Sequence, residues 1–313
     1  MAVNKSDLPR RVAVLCGGPG AEREVSLASG AAVAEGLRAA GLEVSLLVLA
    51  GAEIDLRALA ADMVFIALHG EFGEDGTLQR LLDKEGIPYT GSGAEACAVA
   101  MDKHAAKIRL RAAGIPTPAW VRVKSVDECE KAMADGLHLP VVVKPANRGS
   151  SVAVTIVRQR EALAPAVAQA LAIDSAALLE EFVPGRELTA GMLGSEILPL
   201  VELMPDGEFY DYNAKYISDH TRYLCPAPLP EATAAQVRQI ALEVNRALGA
   251  EHFSRTDIML GEKGPQVLEL NAIPGFTSHS LLPKAAQAAG IAFGDLCCRI
   301  LAMGWTRWLQ RRR

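Results

Sequence analysis

FSRTDIMLGEKGPQVLELN, residues 253–271, is the stretch on which the reading of this chain turns. Two runs of alternating apolar and polar residues flank a turn rich in glycine and proline, the pattern of an antiparallel hairpin. Pairing symmetric about Lys263 sets Asp257 opposite Glu269 and Arg255 opposite Asn271. Side chains alternate faces with period two, so these four polar residues share one side. Ile258, Leu260, Leu268 and Leu270 then form the opposite, core-facing side. Opposed residues have Cβ atoms about 5 Å apart. Two carboxylates at that range repel by roughly 3 kcal/mol at an effective dielectric of about 20, so the pair calls for a cation. Asp257, Glu269 and Asn271 offer only oxygen ligands, the set a hard cation such as magnesium prefers. Two other readings stay open at this point. One is a solvated strand face with Arg255 as counter-ion. The other is a carboxylate pair acting on a sugar, since about 5 Å also suits a retaining glycosidase.

A second segment bears on the choice. LPVVVKP (139–145) carries Lys144 out of a buried strand and into Asn147-Arg148-Gly149-Ser150-Ser151. A lysine beside a Gly-Ser-Ser turn supplies a point charge, exposed backbone N–H groups and hydroxyls, which is what a phosphate pocket needs. The pattern is not GxxxxGK[ST], and Gly17-Gly18-Pro19-Gly20 is not GxGxxG, so neither the P-loop nor the dinucleotide fingerprint is present. Taken with the oxygen-ligand hairpin, the turn points to a magnesium nucleotide held between two sheets.

Around these segments the chain alternates strands and helices. Strands are expected at 12–15, 44–49, 63–68 and 87–89, with a helix over 22–40. That spacing argues for a parallel sheet covered by helices. Glu22 and His69-Gly70-Glu71 fall beyond the carboxyl ends of the first and third strands, where ligands bind in such sheets. A helix over 102–113 follows, then strands at 120–123, 141–144, 152–157 and 178–182 with helices between. Longer strands come at 188–192 and 198–204. A polar, aromatic loop runs over 209–223, and helices are expected at 232–248 and 295–310. No internal repeat or low-complexity linker is visible, so the domains are expected to pack tightly on one another.

The 313 residues suggest two or three domains. With 50% hydrophobic and 22% charged residues, disordered and fibrous classes are excluded. A net charge of −5 gives no global pull toward nucleic acid or an anionic membrane. No apolar run reaches the ~18 residues of a membrane helix, the best candidate being 162–173 with Pro165 inside it. The apolar patch near the amino end is too short for a signal-peptide core, so a cytoplasmic protein is expected. The six cysteines include no CxxC pair and read as reduced, small hydrophobes. Arg307 and Arg311-Arg312-Arg313 complement the dipole at a helix carboxyl end.

Eight stretches together resemble the D-alanine–D-alanine ligases of the ATP-grasp superfamily. They are GGPGAEREVSLASG (17–30), ALHGEFGEDGTLQ (67–79), GSGAEACAVAMDK (91–103), VVVKPANRGSSV (141–152), LLEEFVPGRELT (178–189), YDYNAKY (210–216), SRTDIML (254–260) and LELNAIPGFTSHSLLPKAA (268–286). The resemblance implies an α/β (α+β mixed) ATP-grasp fold in three parts. These are a Rossmann-like, parallel-sheet substrate domain (1–102), a central ATP-binding domain (103–186) and a C-terminal catalytic domain (187–313) with a lid loop at 209–223. It also implies a homodimer, ATP as cofactor with two Mg2+ or Mn2+ ions, and no nucleic-acid or membrane partner. In the implied reaction one D-alanine attacks the γ-phosphate of ATP. The acyl phosphate then yields to the amine of a second D-alanine, giving a peptidoglycan precursor.

The resemblance carries roles onto matching residues. Lys103, Lys144, Ser151 and Lys215 would contact phosphates. Glu180, Glu181, Phe182 and Val183 would line the adenine strand, Phe209, Met259 and Leu268 would enclose the base, and Glu187 would take the ribose. Asp257, Glu269 and Asn271 are the implied metal ligands. Glu22, Val25 and His69 belong to the first D-alanine, with Glu22 reaching Tyr216 through Ser150. Arg255 and the Gly275 N–H would stabilise an oxyanion, and Ser280 and Leu281 would hold the second carboxylate. Ala272, Ile273, Gly20, Ala153 and Arg80 depart from the usual family residues without removing a charged group. A D-alanine–D-lactate or D-alanine–D-serine ligase is the nearest alternative. A catalytically silent nucleotide-binding regulator is the alternative from another class.

Overall fold

The computed structural model describes residues 8–56, 59–134, 136–150, 152–204 and 222–312. The first sheet is parallel. β1 (Arg11–Gly17) lies between β2 (Glu43–Leu49) and β3 (Met63–Ile66), and α1 (Arg23–Ala39) crosses over from β1 to β2. Residues 87–89 do not form the expected fourth strand; they contribute one isolated parallel bridge, Val64 to Tyr89. Three short helices lead away from this sheet: α2 (Thr77–Glu85), α3 (Ala94–Met101) and α4 (Lys103–Ala112). Asp102 caps α4, its carboxylate accepting the Ala105 N–H at 3.0 Å.

The second sheet is antiparallel, in the order β4 (Trp120–Val123), β7 (Ala177–Glu181), β5 (Val141–Pro145), β6 (Thr155–Val157), with α5 (Cys129–Ala134) and α6 (Leu163–Leu171) on one face. Alternation sorts its residues. Val141, Val143 and Leu179 enter that core, while Val142, Lys144 and Glu180 face the other way. The strand expected to start at 152 begins only at Thr155, because Ala153 has a left-handed φ of 52° and Ser150 one of 54°.

The third sheet contains β8 (Arg186–Leu193), the two-residue β9 (Glu196–Ile197), β10 (Val201–Met204), β11 (Arg222–Leu224), β12 (Phe253–Gly261) and β13 (Gly264–Asn271). Its order is β11-β10-β8-β12-β13, with β9 paired to β8. Helices α7 (Glu231–Leu248), α8 (Leu281–Ala288) and α9 (Phe293–Arg311) complete the chain. Buried residues of the first and third sheets form one continuous core, Phe276 contacting both Phe65 and Phe253 edge-on with ring centroids 5.5 Å apart. The second sheet keeps its own core. Among the described residues, no single helix is long and apolar enough to cross a membrane.

The β12–β13 register matches the expectation where it matters and departs from it elsewhere. Arg255 pairs with Asn271 and Asp257 with Glu269, but a bulge follows, and Ile258 then pairs with Val267. Symmetry about Lys263 therefore fails, and the loop is the two residues 262–263. Leu268 is the extra residue of the bulge. It leaves the core side assigned to it by strict alternation and lines the cleft beside Glu269, while Val267 takes the core position.

Candidate active site

The exposed face of the second sheet and the polar face of the third enclose a cleft of about 990 Å³ including its mouth. Lys144, Glu180, Glu181, Phe182 and Val183 line one wall; Glu187, Asp257, Met259, Leu268 and Glu269 line the other. Met259 sits opposite Glu187 in the β12–β8 pairing, so an apolar and a carboxylate side chain share that end of the cleft. A smaller pocket adjoins it, lined by Glu22, Glu74, Ser150, Arg255 and Asn271. Lys103, Gly149 and Glu269 border both spaces. The two carboxylates of the hairpin thus lie on the same side of the ribbon, as the register requires.

Each hairpin carboxylate is held by a cation. Arg255 grips Asp257 with two parallel bonds of 2.7 Å, Nε to Oδ1 and Nη2 to Oδ2. The Lys103 ammonium lies 3.3 Å from Glu269 Oε2 and donates to the Arg148 carbonyl at 2.6 Å. Asp257 lines the cleft, Asn271 the adjoining pocket and Glu269 both, so two carboxylates and one amide oxygen border the junction of the two spaces, a donor set that fits a hard divalent cation. No group of three His, Cys, Asp or Glu suited to a metal occurs among the described residues.

Glu180 is buried between two lysines: Lys107 Nζ lies 2.9 Å and Lys144 Nζ 3.0 Å from its Oε2. Burial pushes the Glu180 carboxyl up, but the two ammonium groups outweigh it and hold it below the usual carboxylate range. Burial brings the Lys107 ammonium down to about 8 against the opposing pull of Glu180. Glu181 instead turns outward toward Lys263, 3.5 Å away.

In the adjoining pocket Ser150 donates to the Glu22 carboxylate. Glycine is favoured beside this carboxylate: a Cβ on Gly70, whose φ is 68°, would run into Glu22, while one on Gly149 would lie 3.2 Å from Glu22 Oε1, a contact a small shift of that side chain relieves. His69 is buried, with Nδ1 facing the Ile273 carbonyl at 3.1 Å and Glu74 Oε1 at 3.4 Å, so Nδ1 carries a proton. Its Nε2 meets Ser29 Oγ at 3.1 Å, and Ser29 accepts the Phe276 N–H at 3.0 Å. Burial opposes charge on His69, but Glu74 and Glu22 more than offset it and raise its pKa. Burial, with Glu22 nearby, raises that of Glu74.

The chain around Gly275 is equally constrained, since a Cβ there would lie 2.6 Å from Ser280 Oγ and 3.9 Å from His69 Nε2. Ser280 Oγ accepts the Thr277 N–H at 2.9 Å and stands at the N-cap of α8. Leu281 buries its side chain in the core and begins α8, and Val25 is buried in α1. Ser151, Phe209, Lys215, Tyr216 and most of the expected lid lie outside the described residues. Sequence reasoning did not single out Lys107, Ser29, Glu74 or Thr277. For Lys107 a signal existed, because it follows Lys103 by four residues and so shares its side of α4. Of the departures, Ala272 and Ile273 are buried, and a Cβ on Gly20 would meet nothing closer than 3.9 Å, so packing does not force a glycine there.

Similarity to known proteins agrees with this layout. The family described as D-ala D-ala ligase C-terminus matches residues 110–302, and D-ala D-ala ligase N-terminus matches 51–92. The chain belongs to the D-alanine–D-alanine ligases. It is 48% identical over 301 residues to a D-alanine–D-alanine ligase of Bordetella avium, covering 93% of this chain and 94% of that one. A D-alanine–D-alanine ligase of Nitrosospira multiformis is 44% identical over 295 residues, covering 94% and 96%. Among solved structures, the D-alanine–D-alanine ligase from Bacillus anthracis complexed with ATP superposes with a TM-score of 0.85 at 33% identity. It covers 96% of this chain and 98% of that one. The described residues accordingly show the mixed α/β ATP-grasp architecture of these ligases.

Proposed function

We propose that this chain is an ATP-dependent ligase that joins two D-alanines into D-alanyl-D-alanine, releasing ADP and phosphate, for peptidoglycan precursor synthesis. The observation that carries this reading is the junction of the two spaces. A cleft between two sheets, lined by lysines, carboxylates and apolar side chains, opens through Lys103 and Glu269 onto a small pocket holding a carboxylate for an ammonium group and a guanidinium for an anion. In this reading the cleft holds ATP, with Met259 and Leu268 against the base, Glu187 at the ribose, and Lys103 and Lys144 at the phosphates. Asp257, Glu269 and Asn271 would hold Mg2+ or Mn2+, one ion or two, which offsets triphosphate charge when bound.

Glu22, steadied by Ser150, receives the ammonium of the first D-alanine and directs its carboxylate toward the γ-phosphate. Attack gives an acyl phosphate. Arg255, held rigid by Asp257, and the Gly275 N–H face the oxyanion formed when the second amine adds. The second carboxylate lies at the start of α8, where Ser280 and the Leu281 N–H are presented. His69 has both ring nitrogens engaged and acts here by fixing Ser29 and the turn before Gly275, not as a free base. Ser151, Phe209, Lys215, Tyr216 and the lid enter this reading through the sequence resemblance alone. The domain division at 102/103 and 186/187, a homodimer and a cytoplasmic location belong to the same proposal.

The test is ADP release with ATP, Mg2+ and D-alanine, with products identified by mass, repeated with D-lactate or D-serine as second substrate. D-alanine-dependent ADP release with the dipeptide as product is expected, abolished by a chelator and restored by Mg2+. Arg255→Met should lower kcat by roughly 10²–10³. Light scattering on the same preparation should give the mass of two 33.2 kDa chains. ATP hydrolysis indifferent to D-alanine, or a mixed product only, would sink the assignment.

A further inference from the structure

We infer that Lys107 is a positioning residue for the nucleotide: it takes up the charge of Glu180, so that Lys144 keeps its own charge for the triphosphate. This rests on the ATP-dependent reading above. Lys107 is 1% exposed and does not line the cleft, whereas Lys144 and Glu180 do. It can therefore act on a nucleotide only through its neighbours, and Glu180 is the charged one that lines the cleft.

Glu180 is the carboxylate that meets the charge of Lys107. Its ammonium forms an ion pair with Glu180, Nζ lying 2.9 Å from Oε2, and donates to Thr117 Oγ1 at 2.6 Å and to the Pro118 carbonyl at 3.5 Å. The Trp120 ring lies against the same ammonium, its centroid 5.5 Å away. Glu180 also contacts Lys144 through both oxygens, at 3.0 and 3.1 Å. Two ammonium groups thus share one carboxylate, and the cluster carries a net positive charge at the wall of the cleft. Without Lys107, Glu180 and Lys144 would make a neutral pair, and the triphosphate would lose the attraction of one unit charge. The lowered pKa of Lys107, about 8, fits an ammonium kept charged by Glu180 against burial. Thr117 passes the constraint on, donating to the Val267 carbonyl at 2.8 Å in β13, the strand that carries Glu269.

The experiment compares wild type with Lys107→Met, Lys107→Arg, Glu180→Gln and the double variant Lys107→Met/Glu180→Gln. D-alanine-dependent ADP release is measured, together with calorimetric titration of Mg2+-ATP. Lys107→Met should raise KM for ATP about tenfold or more and leave KM for D-alanine within about twofold. Lys107→Arg should stay within about threefold of wild type for both. In the Glu180→Gln background, Lys107→Met should change KM for ATP by less than about twofold, because the charge it neutralises is gone. A tenfold penalty that persists in that background, or equal losses for both substrates, would assign Lys107 a purely structural role and overturn the inference. Should Lys107→Met not fold, the double variant and Glu180→Gln decide, since both lack an unpaired buried carboxylate. If wild type releases no ADP with D-alanine, the proposed function falls. The ATP titrations of the same proteins still judge Lys107 by the same fold-changes.

Discussion

Several residues of this chain hold their place against an intrinsic cost. His252 adopts a φ of 65° and accepts the Gly91 N–H on Nδ1 at 3.0 Å. Burial, with Arg307 and Arg311 nearby, lowers its pKa from 6.5 to about 3. The unfolded chain therefore binds a proton there between those values when the folded one does not. The stability associated with neutral His252 is complete above about pH 6.5 and is lost as pH falls toward 3, by about 1.4 kcal/mol per pH unit. Asn tolerates the left-handed conformation and does not titrate. The stability of wild type relative to His252→Asn, from urea unfolding at pH 7 to 4, should decline at about that slope; a constant difference would refute it. Ala153 pays a similar conformational cost in the turn between β5 and β6, at a φ of 52°.

Helix α4 and the β12–β13 hairpin share the load at the scale of elements. The helix brings Lys103 to the cleft and Lys107 to Glu180 from a single capped start, while the hairpin supplies Asp257 and Glu269. Removing the cap by Asp102→Ala should cost about 1 kcal/mol in chemical unfolding and raise KM for ATP by a few-fold, with KM for D-alanine nearly unchanged. An unaltered KM for ATP would mean that the start of α4 does not position Lys103. The hairpin was legible from its alternation and turn, and so was the opposition of Asp257 to Glu269. The bulge was not, because inserting Leu268 on the cleft side is favourable only once Val267 has a core to enter and the second sheet stands across from it. Likewise the exact strand near 152–157 depended on two left-handed residues whose conformation no periodicity reveals.

In the molecule as a whole, the cleft lies between the two largest hydrophobic cores, one shared by the first and third sheets and one belonging to the second sheet, on which a small third cluster of Ala146, Ala176 and Leu178 also sits. The core of the second sheet is much the smaller of the two, so thermal unfolding is expected to begin there. A nucleotide gripped by both walls stabilises only the docked arrangement. With Mg2+-ATP at about a hundredfold over Kd, the lower calorimetric transition should rise by roughly 5–10 °C and merge toward the upper one. A chelator should remove most of that shift. Scans unchanged by saturating Mg2+-ATP would rule out a site closed between the two cores.

Local pattern in the sequence was enough to place a carboxylate pair on one face of a hairpin, a lysine at the end of a buried strand and a Gly-Ser-Ser turn after it. Each follows from alternation, turn chemistry or charge repulsion among residues close along the chain. Tertiary structure alone brought Glu22 to Ser150, His69 to Ile273 and Lys107 to Glu180, contacts that join residues 128, 204 and 73 positions apart or on different elements. Such contacts are set by how sheets and helices pack, and the free energy of packing is spread over buried surface that no short stretch encodes.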